Sequence, residues 1–413
     1  MNIPVRWIIL IGSFTAYLFD ALEIVILSLA LPSMRADLGI SVVQGGLLAT
    51  STLLGIGASS VTVGRIADKH GRKVALLGSL ALFGVCTASV AVMPSFGWIM
   101  VLRLVAGFGL GGVWAIVSTY VVESWPERER GRAVAFVMSA FPVGGMLAAL
   151  IAGTYASNWR AMFFVSGVGV IVPIVLIWRF FPESREWLDN VSARRAAGEA
   201  PTANTREIFG RTLIRSTVLG TTVCSLALLG FWGASAWLPT FLAEDRQVPA
   251  TTVAVFISVL NLGMFLGYNV FGFIADKVGR KRALIASLLG TGLVLPLYVV
   301  AANETTLLVL GPAYAFFAVF TGILGSYLGE LYPTELRATG AGFCFNVGRG
   351  ISALAPLLLG YLAGTTGFAI GFALCGGLFL LAAVAVIALP ERYSPATVLS
   401  DDTLSAEDDG VKL

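Results

Sequence analysis

Charge is what this sequence has least of. Only 12% of its 413 residues are Asp, Glu, Lys or Arg, about half the share of an ordinary soluble domain, while 57% are hydrophobic. A soluble protein of that size could not hide so much apolar surface, so its solvent must be lipid. Histidine occurs once, at His70, which excludes a histidine-based metal centre. The four cysteines, Cys86, Cys224, Cys344 and Cys375, stand singly in apolar segments and read as small buried hydrophobes rather than disulfide partners or metal ligands. No basic tract interleaved with aromatics offers itself to nucleic acid. His-Glu-x-x-His, Gly-x-Ser-x-Gly and cysteine–histidine constellations are missing, as is a Gly-x-x-x-x-Gly-Lys-Ser/Thr loop for ATP. Neither enzymatic chemistry nor a cofactor nor a metal is therefore expected, and any uphill work must draw on an ion gradient.

Long apolar runs are what the chain has in abundance. Stretches of about 20 residues, enough to cross about 30 Å of hydrocarbon as helix, are predicted at 7–31, 43–63, 74–93, 97–122, 133–156 and 161–181. A second set follows at 213–240, 251–274, 283–302, 306–329, 338–362 and 366–389. The first run sits behind Arg6 like a signal peptide. It continues to Leu31, includes Asp20 and Glu23 and has no small-residue cleavage site, so it reads as a retained helix. The expected architecture is an all-α membrane protein of about twelve helices in two pseudo-symmetric six-helix bundles. The first bundle is placed at 1–182 and the second at 213–390, with a polar linker at 183–212 and a disordered cytoplasmic tail at 391–413.

The halves repeat. Gly64-Arg-Ile-Ala-Asp68-Lys-His-Gly71-Arg72-Lys73 returns as Gly272-Phe-Ile-Ala-Asp276-Lys-Val-Gly279-Arg280-Lys281. Glu123-Ser-Trp-Pro126 with Arg130 returns as Glu330-Leu-Tyr-Pro333 with Arg337, and Pro182-Glu183 as Pro390-Glu391. Parallel repeats of this kind are a transporter architecture with the solute site between the halves. Lys and Arg set the orientation. With the N-terminus cytoplasmic, the outer loops hold only Arg35, Arg160 and Arg246, Arg103 and Arg349 lie inside helices, and every other Lys and Arg falls on the cytoplasmic side. Both termini are therefore expected inside a plasma or inner membrane.

The doubled Gly-x-x-x-Asp-Lys-x-Gly-Arg-Lys segment resembles the signature of the major facilitator superfamily. Arg103-Leu-Val-Ala-Gly107-Phe-Gly109-Leu-Gly111 is similar to its fourth-helix motif, and Pro182-Glu183-Ser184-Arg-Glu-Trp187-Leu188 to the end of its sixth helix in sugar-porter-like members. Within the superfamily the chain looks like the proton symporters of organic acids, the aromatic-acid, nicotinate, lactate and sialate group. That likeness rests on Asp20-Ala-Leu-Glu23, Tyr120-Val-Val-Glu123-Ser-Trp-Pro126, Tyr332-Pro-Thr-Glu-Leu-Arg337-Ala-Thr-Gly340 and Gly348-Arg349-Gly350. The aromatic-acid branch usually has Gly after the first acid and Asp as the second, where this chain has Ala21 and Glu23. The resemblance implies uptake of a small organic anion with protons, by a monomer that alternates access. A proton-coupled sugar porter or a drug or metabolite antiporter of the same superfamily is the alternative. The drug-exporter motif of helix five is not matched by Ala140-Phe-Pro142-Val-Gly144-Gly145.

A charge inside the bilayer costs about 3 kcal/mol or more, so each needs a reason. Four lie deep in the predicted spans: Asp20, Glu23, Arg103 and Arg349. Asp20 and Glu23 are three apart on one helix face. Their mutual repulsion and burial should leave one of them holding a proton near neutral pH, as proton coupling requires. Arg103, at the depth of Glu23, would modulate release of that proton. The resemblance favours pairing it with Asp20, while the sequence itself leaves both acids open. Arg349, between Gly348 and Gly350, is the candidate carboxylate anchor, because a guanidinium fork binds carboxylate bidentately. Asn346 shares its face. Tyr17, Gln44, Trp114, Tyr120, Trp232, Asn261, Tyr268 and Tyr314 are the other candidate cavity residues. Gly64, Asp68, Arg72, Glu123 and Arg130, with Gly272, Asp276, Arg280, Glu330 and Arg337, are expected to form a latch between the halves in the outward-open state. The charge asymmetry makes a direct prediction: single cysteines placed at Asn158 and Asn204 label from opposite sides of the membrane. Labelling of both from one side would sink the twelve-span topology.

Overall fold

The structure, a computed structural model, describes residues 4–156, 158–183, 188, 205–333 and 336–391. Among them, twelve helices are long and apolar enough to cross a membrane. They are α1 (Val5–Leu38), α2 (Val42–His70), α3 (Arg72–Val90), α4 (Phe96–Ser124), α5 (Ala133–Tyr155) and α6 (Trp159–Phe180), then α7 (Ile214–Asp245), α8 (Ala250–Val278), α9 (Arg280–Val299), α10 (Glu304–Glu330), α11 (Thr339–Thr366) and α12 (Phe368–Ile387). No strand occurs among the described residues. Lipid supplies no hydrogen bonds to a peptide group, so an apolar run of this length has helix as its stable state.

Four spans break part-way: α5 at Ser139, α6 at Val170, α10 at Ala318–Val319 and α11 at Ala353–Leu354. Pro142, Pro173 and Pro356 follow three of these breaks, and each lacks the N–H that would continue the ladder. At the α10 break the Phe317 carbonyl, released from the ladder, accepts a 2.6 Å bond from Ser287 Oγ of α9. Pro32 and Pro239 are instead absorbed within α1 and α7, the latter just before a wider π turn at Phe241–Asp245.

The internal repeat extends to the packing. A side-chain carbon at Gly55 of α2 would stand 2.1 Å from the Leu104 carbonyl oxygen of α4, and one at Gly263 of α8 would stand 2.3 Å from that of Pro312 of α10. Only glycine lets these backbones touch, and the same helix pair touches at the same repeat position in each half.

The two halves close on each other on the side remote from the termini. Gly46 of α2 lies against the Pro356 carbonyl of α11, where a side-chain carbon would be 2.7 Å from that oxygen. Arg35, at the end of α1, forms an ion pair with Glu244, at the end of α7. Nearer the termini, Trp114 of α4 stacks on Phe345 of α11 with ring centres 5.3 Å apart. Between these two closures lie the cavities. Most of the expected linker and tail, 184–187, 189–204 and 392–413, lies outside the described residues. The last part of the linker is structured: a short 3-10 helix, Thr205–Phe209, docks onto the second half. There the Ile208 carbonyl accepts a 2.7 Å bond from Thr217 Oγ1, and Phe209 packs edge-on to Phe343.

Candidate functional site

Two cavities lie between the halves and share a wall of Ile24, Phe141, Phe231 and Trp232. The one nearer the termini is lined by Tyr17, Asp20, Trp114, Tyr268, Phe345 and Arg349 among others. The other is lined by Thr52, Arg103, Asn261, Met264 and Tyr314 together with many aliphatic side chains. Both are predominantly apolar and aromatic, with a few polar groups set into them, the usual make-up of a small-molecule site.

Helix phase decides which residues reach Arg349. At 100° per residue, Phe345 stands about 40° from Arg349 around the helix and Asn346 about 60° to the other side. Phe345 takes the cavity face; Asn346 is exposed and lines neither cavity. Gly348 opens no space for a ligand. It faces Cys224 of α7, where a side-chain carbon would come within 2.5 Å of the Cys224 Cβ.

The four intramembrane charges sort into two neighbourhoods. Asp20 faces Arg349 across the cavity nearer the termini, and Arg349 is the charge that bears on it most. Glu23, a helical turn further on, has Arg103 as its dominant charged neighbour. Asp20 therefore belongs with Arg349 rather than Arg103, against the pairing the resemblance favoured. Among the described residues, none of these four charges lies within 4.0 Å of another in an ion pair. Asp20 Oδ1 and both carboxyl oxygens of Glu23 are sealed from solvent without a hydrogen-bond partner. The Arg103 guanidinium donates to Thr52 Oγ1 at 3.1 Å, to Thr87 Oγ1 at 3.5 Å and to the Glu23 backbone carbonyl at 3.2 Å. It also lies 5.6 Å over the ring of Phe163.

The Major Facilitator Superfamily model matches residues 9–274 and 225–405. The chain belongs to the major facilitator superfamily. Relatives are transporters, and the chain is a membrane transporter rather than an enzyme. The sialic acid transporter NanX of Escherichia coli strain K12 is 28% identical over 371 residues, 87% of this chain and 88% of its own length. The cis,cis-muconate transport protein of Acinetobacter baylyi is 27% identical over 390 residues, 93% of this chain and 94% of its own. The inward open conformation of the xylose transporter XylE from E. coli shares the fold, with a TM-score of 0.77 at 18% identity, covering 97% of this chain and 99% of that one.

Within this facilitator fold, several candidate residues stand away from the cavities. Gln44 caps its own helix: its side chain accepts from the Ser41 N–H at 2.8 Å while Ser41 Oγ accepts from the Gln44 N–H at 3.2 Å. Tyr120 is fully buried inside the first half, and its hydroxyl donates to Glu183 Oε1 at 3.3 Å and to the Pro182 carbonyl at 3.4 Å. Tyr327 repeats the contact in the second half, donating to the Pro390 carbonyl at 2.6 Å. The sequence did hold a signal for this: both tyrosines stand three residues before a repeated glutamate, Glu123 and Glu330.

The repeated loop charges also bond within each half. Arg72 pairs with Glu123 at 3.4 Å, between α3 and α4, and Arg280 with Glu330 at 2.5 Å, between α9 and α10. Lys73 and Lys281 donate to the terminal carbonyls of α6 and α12, at Phe181 and Leu389. Gly71 and Gly279 hold φ of +102° and +93° at the turns from α2 to α3 and from α8 to α9. These bonds stay within a bundle and do not bridge the halves. Asp276 is exposed, and the side chains of Asp68, Arg130 and Arg337 lie outside the described residues. Phe141, Phe231, Thr321 and Met138, which line the cavities, were not singled out by the sequence because nothing in their spacing separates them from packing residues. Replacing Tyr120 by Phe should cost about 1 kcal/mol of stability and leave solute affinity unchanged in a binding titration. A clear loss of affinity would return Tyr120 to the site.

Proposed function

We propose that the chain is a proton-coupled symporter that takes up a small organic anion, a monocarboxylate or aromatic carboxylate, by alternating access. In this reading it works as a monomer in the plasma or inner membrane with both termini cytoplasmic, and the bundles 1–182 and 213–390 rock about the central cavities. The observation that carries the reading is Arg349, set in an aromatic cavity between the halves, facing Asp20 without an ion pair.

An arriving carboxylate offers that guanidinium two charge-assisted bonds, each worth about 1.5–3 kcal/mol. A neutral sugar offers none, which disfavours the sugar-porter alternative. The proton belongs to the acid pair. A carboxylate enclosed in low dielectric without a donor is costly to ionise, and two of them on one helix face repel. Protonation of Asp20 removes the negative charge competing for Arg349, so proton and anion bind together and the loaded carrier crosses with its charge compensated. Arg103 tunes the second acid, Glu23. Asn261, Tyr17, Trp114 and Tyr314 shape the cavities around the solute. The relatives named for sialic acid and cis,cis-muconate support an organic acid as solute.

Two measurements decide the reading. Uptake of a panel of radiolabelled carboxylates into proteoliposomes, with and without a proton uncoupler, should show accumulation that the uncoupler abolishes. Asp20→Asn should lose that accumulation while retaining downhill exchange, and a mutant that still accumulates solute under a pH gradient would remove Asp20 from the coupling. Arg349→Lys should weaken solute binding by about tenfold or more although the charge is kept, because the fork is lost. Calorimetry showing unchanged affinity in the lysine variant would remove Arg349 from the site.

A further inference from the structure

Glu23 is fully enclosed in the membrane region, and its surroundings are unusual. Its side chain is inaccessible to solvent, and so is that of Arg103. An arginine sealed beside a glutamate would be expected to make a bidentate ion pair, since that is the cheapest way to keep both groups out of water. It does not. The guanidinium spends its donors on Thr52 of α2, Thr87 of α3 and the backbone carbonyl of Glu23, and neither carboxyl oxygen has a partner.

We propose that Thr52 is a positioning residue that tethers Arg103 away from the Glu23 carboxyl. The proposal rests on the coupling reading above for its functional meaning, though not for its geometry. Thr52 is well set for the task. Its hydroxyl hydrogen is committed to the Leu48 carbonyl at 3.1 Å, which turns its oxygen lone pairs toward the Arg103 Nε–H. Thr87 is fully buried and stands beside both the guanidinium and the carboxyl. The groups facing this pair are few. Asp20 lies on the same helix, the Cys86 thiol on α3 faces Arg103, Phe163 of α6 covers the guanidinium, and Arg349 acts on Asp20 rather than on Glu23.

The consequence is a carboxyl that feels a nearby positive charge without being locked to it. If Arg103 closed on Glu23, the ionised form would gain two charge-assisted bonds and the acid would give up its proton too readily to serve as a carrier. Held at one remove, the guanidinium attracts the charge that appears on release without preventing the next protonation. The tether thus sets the pH at which Glu23 is loaded.

The test reads the carboxyl directly and needs no knowledge of the solute. Purified full-length protein in lipid is titrated while infrared difference spectra follow the carboxylic-acid C=O band that disappears in Glu23→Gln. Thr52→Val keeps the shape of the side chain and deletes the hydroxyl, freeing Arg103 to reach the carboxyl. The band should then be lost at a pH about one unit lower than in the unmodified protein, a tenfold drop in proton affinity. Thr52→Ser, which restores the oxygen, should return the midpoint. Thr52→Ala, which also deletes the hydroxyl, should shift it in the same direction and carries the test if Thr52→Val does not fold. A structural role alone would lower thermal stability and leave the midpoint in place, and an unmoved midpoint in folded Thr52→Val or Thr52→Ala would overturn the tether. Because no solute is present, a shifted midpoint in a protein whose uptake ignores the proton gradient would support the tether while sinking the coupling reading.

Discussion

Hydrocarbon cannot hydrogen-bond, and the architecture of this protein follows from that one constraint. Every peptide group in the spans must find its partner within its own helix, which is why twelve helices form and why their breaks fall where a proline or a hydroxyl reorganises the ladder. The same constraint keeps charge out of the lipid-facing surface and sends it to the seam between the halves. Asp20 and Arg349 face each other there, and Glu23 with Arg103 is buried beside it, within the first bundle. A group that costs several kilocalories to dehydrate and has no ion-pair partner persists only where something else compensates for it. In the proposed cycle, the compensation is a proton on one side of the cavity and an anion on the other.

The repeat divides the labour. Features that occur in both halves build and stiffen each bundle: the Gly55 and Gly263 contacts, the lysines on the terminal carbonyls of α6 and α12, and the Tyr120 and Tyr327 clasps. Features that occur in one half only are those of the candidate site. Asp20, Glu23 and Arg103 have no counterpart in the second half, and Arg349 has none in the first. The asymmetry has a physical basis, since two halves with the same charges facing each other would repel across the cavity. In the proposed cycle, the anion meets the wall of the second half and the proton the wall of the first.

Closure on the side remote from the termini rests on backbone proximity at Gly46 and on the ion pair of Arg35 with Glu244. Toward the termini, the Trp114 and Phe345 stack lies beneath Arg349. Flat aromatic faces slide and separate without leaving polar groups unpaired, whereas a buried hydrogen bond or ion pair must be broken at each opening.

The sequence by itself determined the solvent, the helix number, the duplication and which four charges lie deep inside the spans. Each of these follows from composition or period: apolar runs of membrane length, a motif that returns half a chain later, and charged residues too costly to place without a purpose. What the sequence left open depended on distances between helices that are far apart in sequence. Only the tertiary structure paired Asp20 with Arg349 and Glu23 with Arg103, because which acid meets which base depends on how α1 lies between α4 and α11. Only the packing moved Tyr120 and Gln44 out of the site, since a polar group inside a span looks the same in sequence whether it faces a cavity or ties down a helix end. The turn of α11 about its own axis, which sets Phe345 beside Arg349 and leaves Asn346 exposed, was likewise decided by neighbouring helices. A spacing of three or four residues permits either partner, and only the surface against which the helix packs selects one.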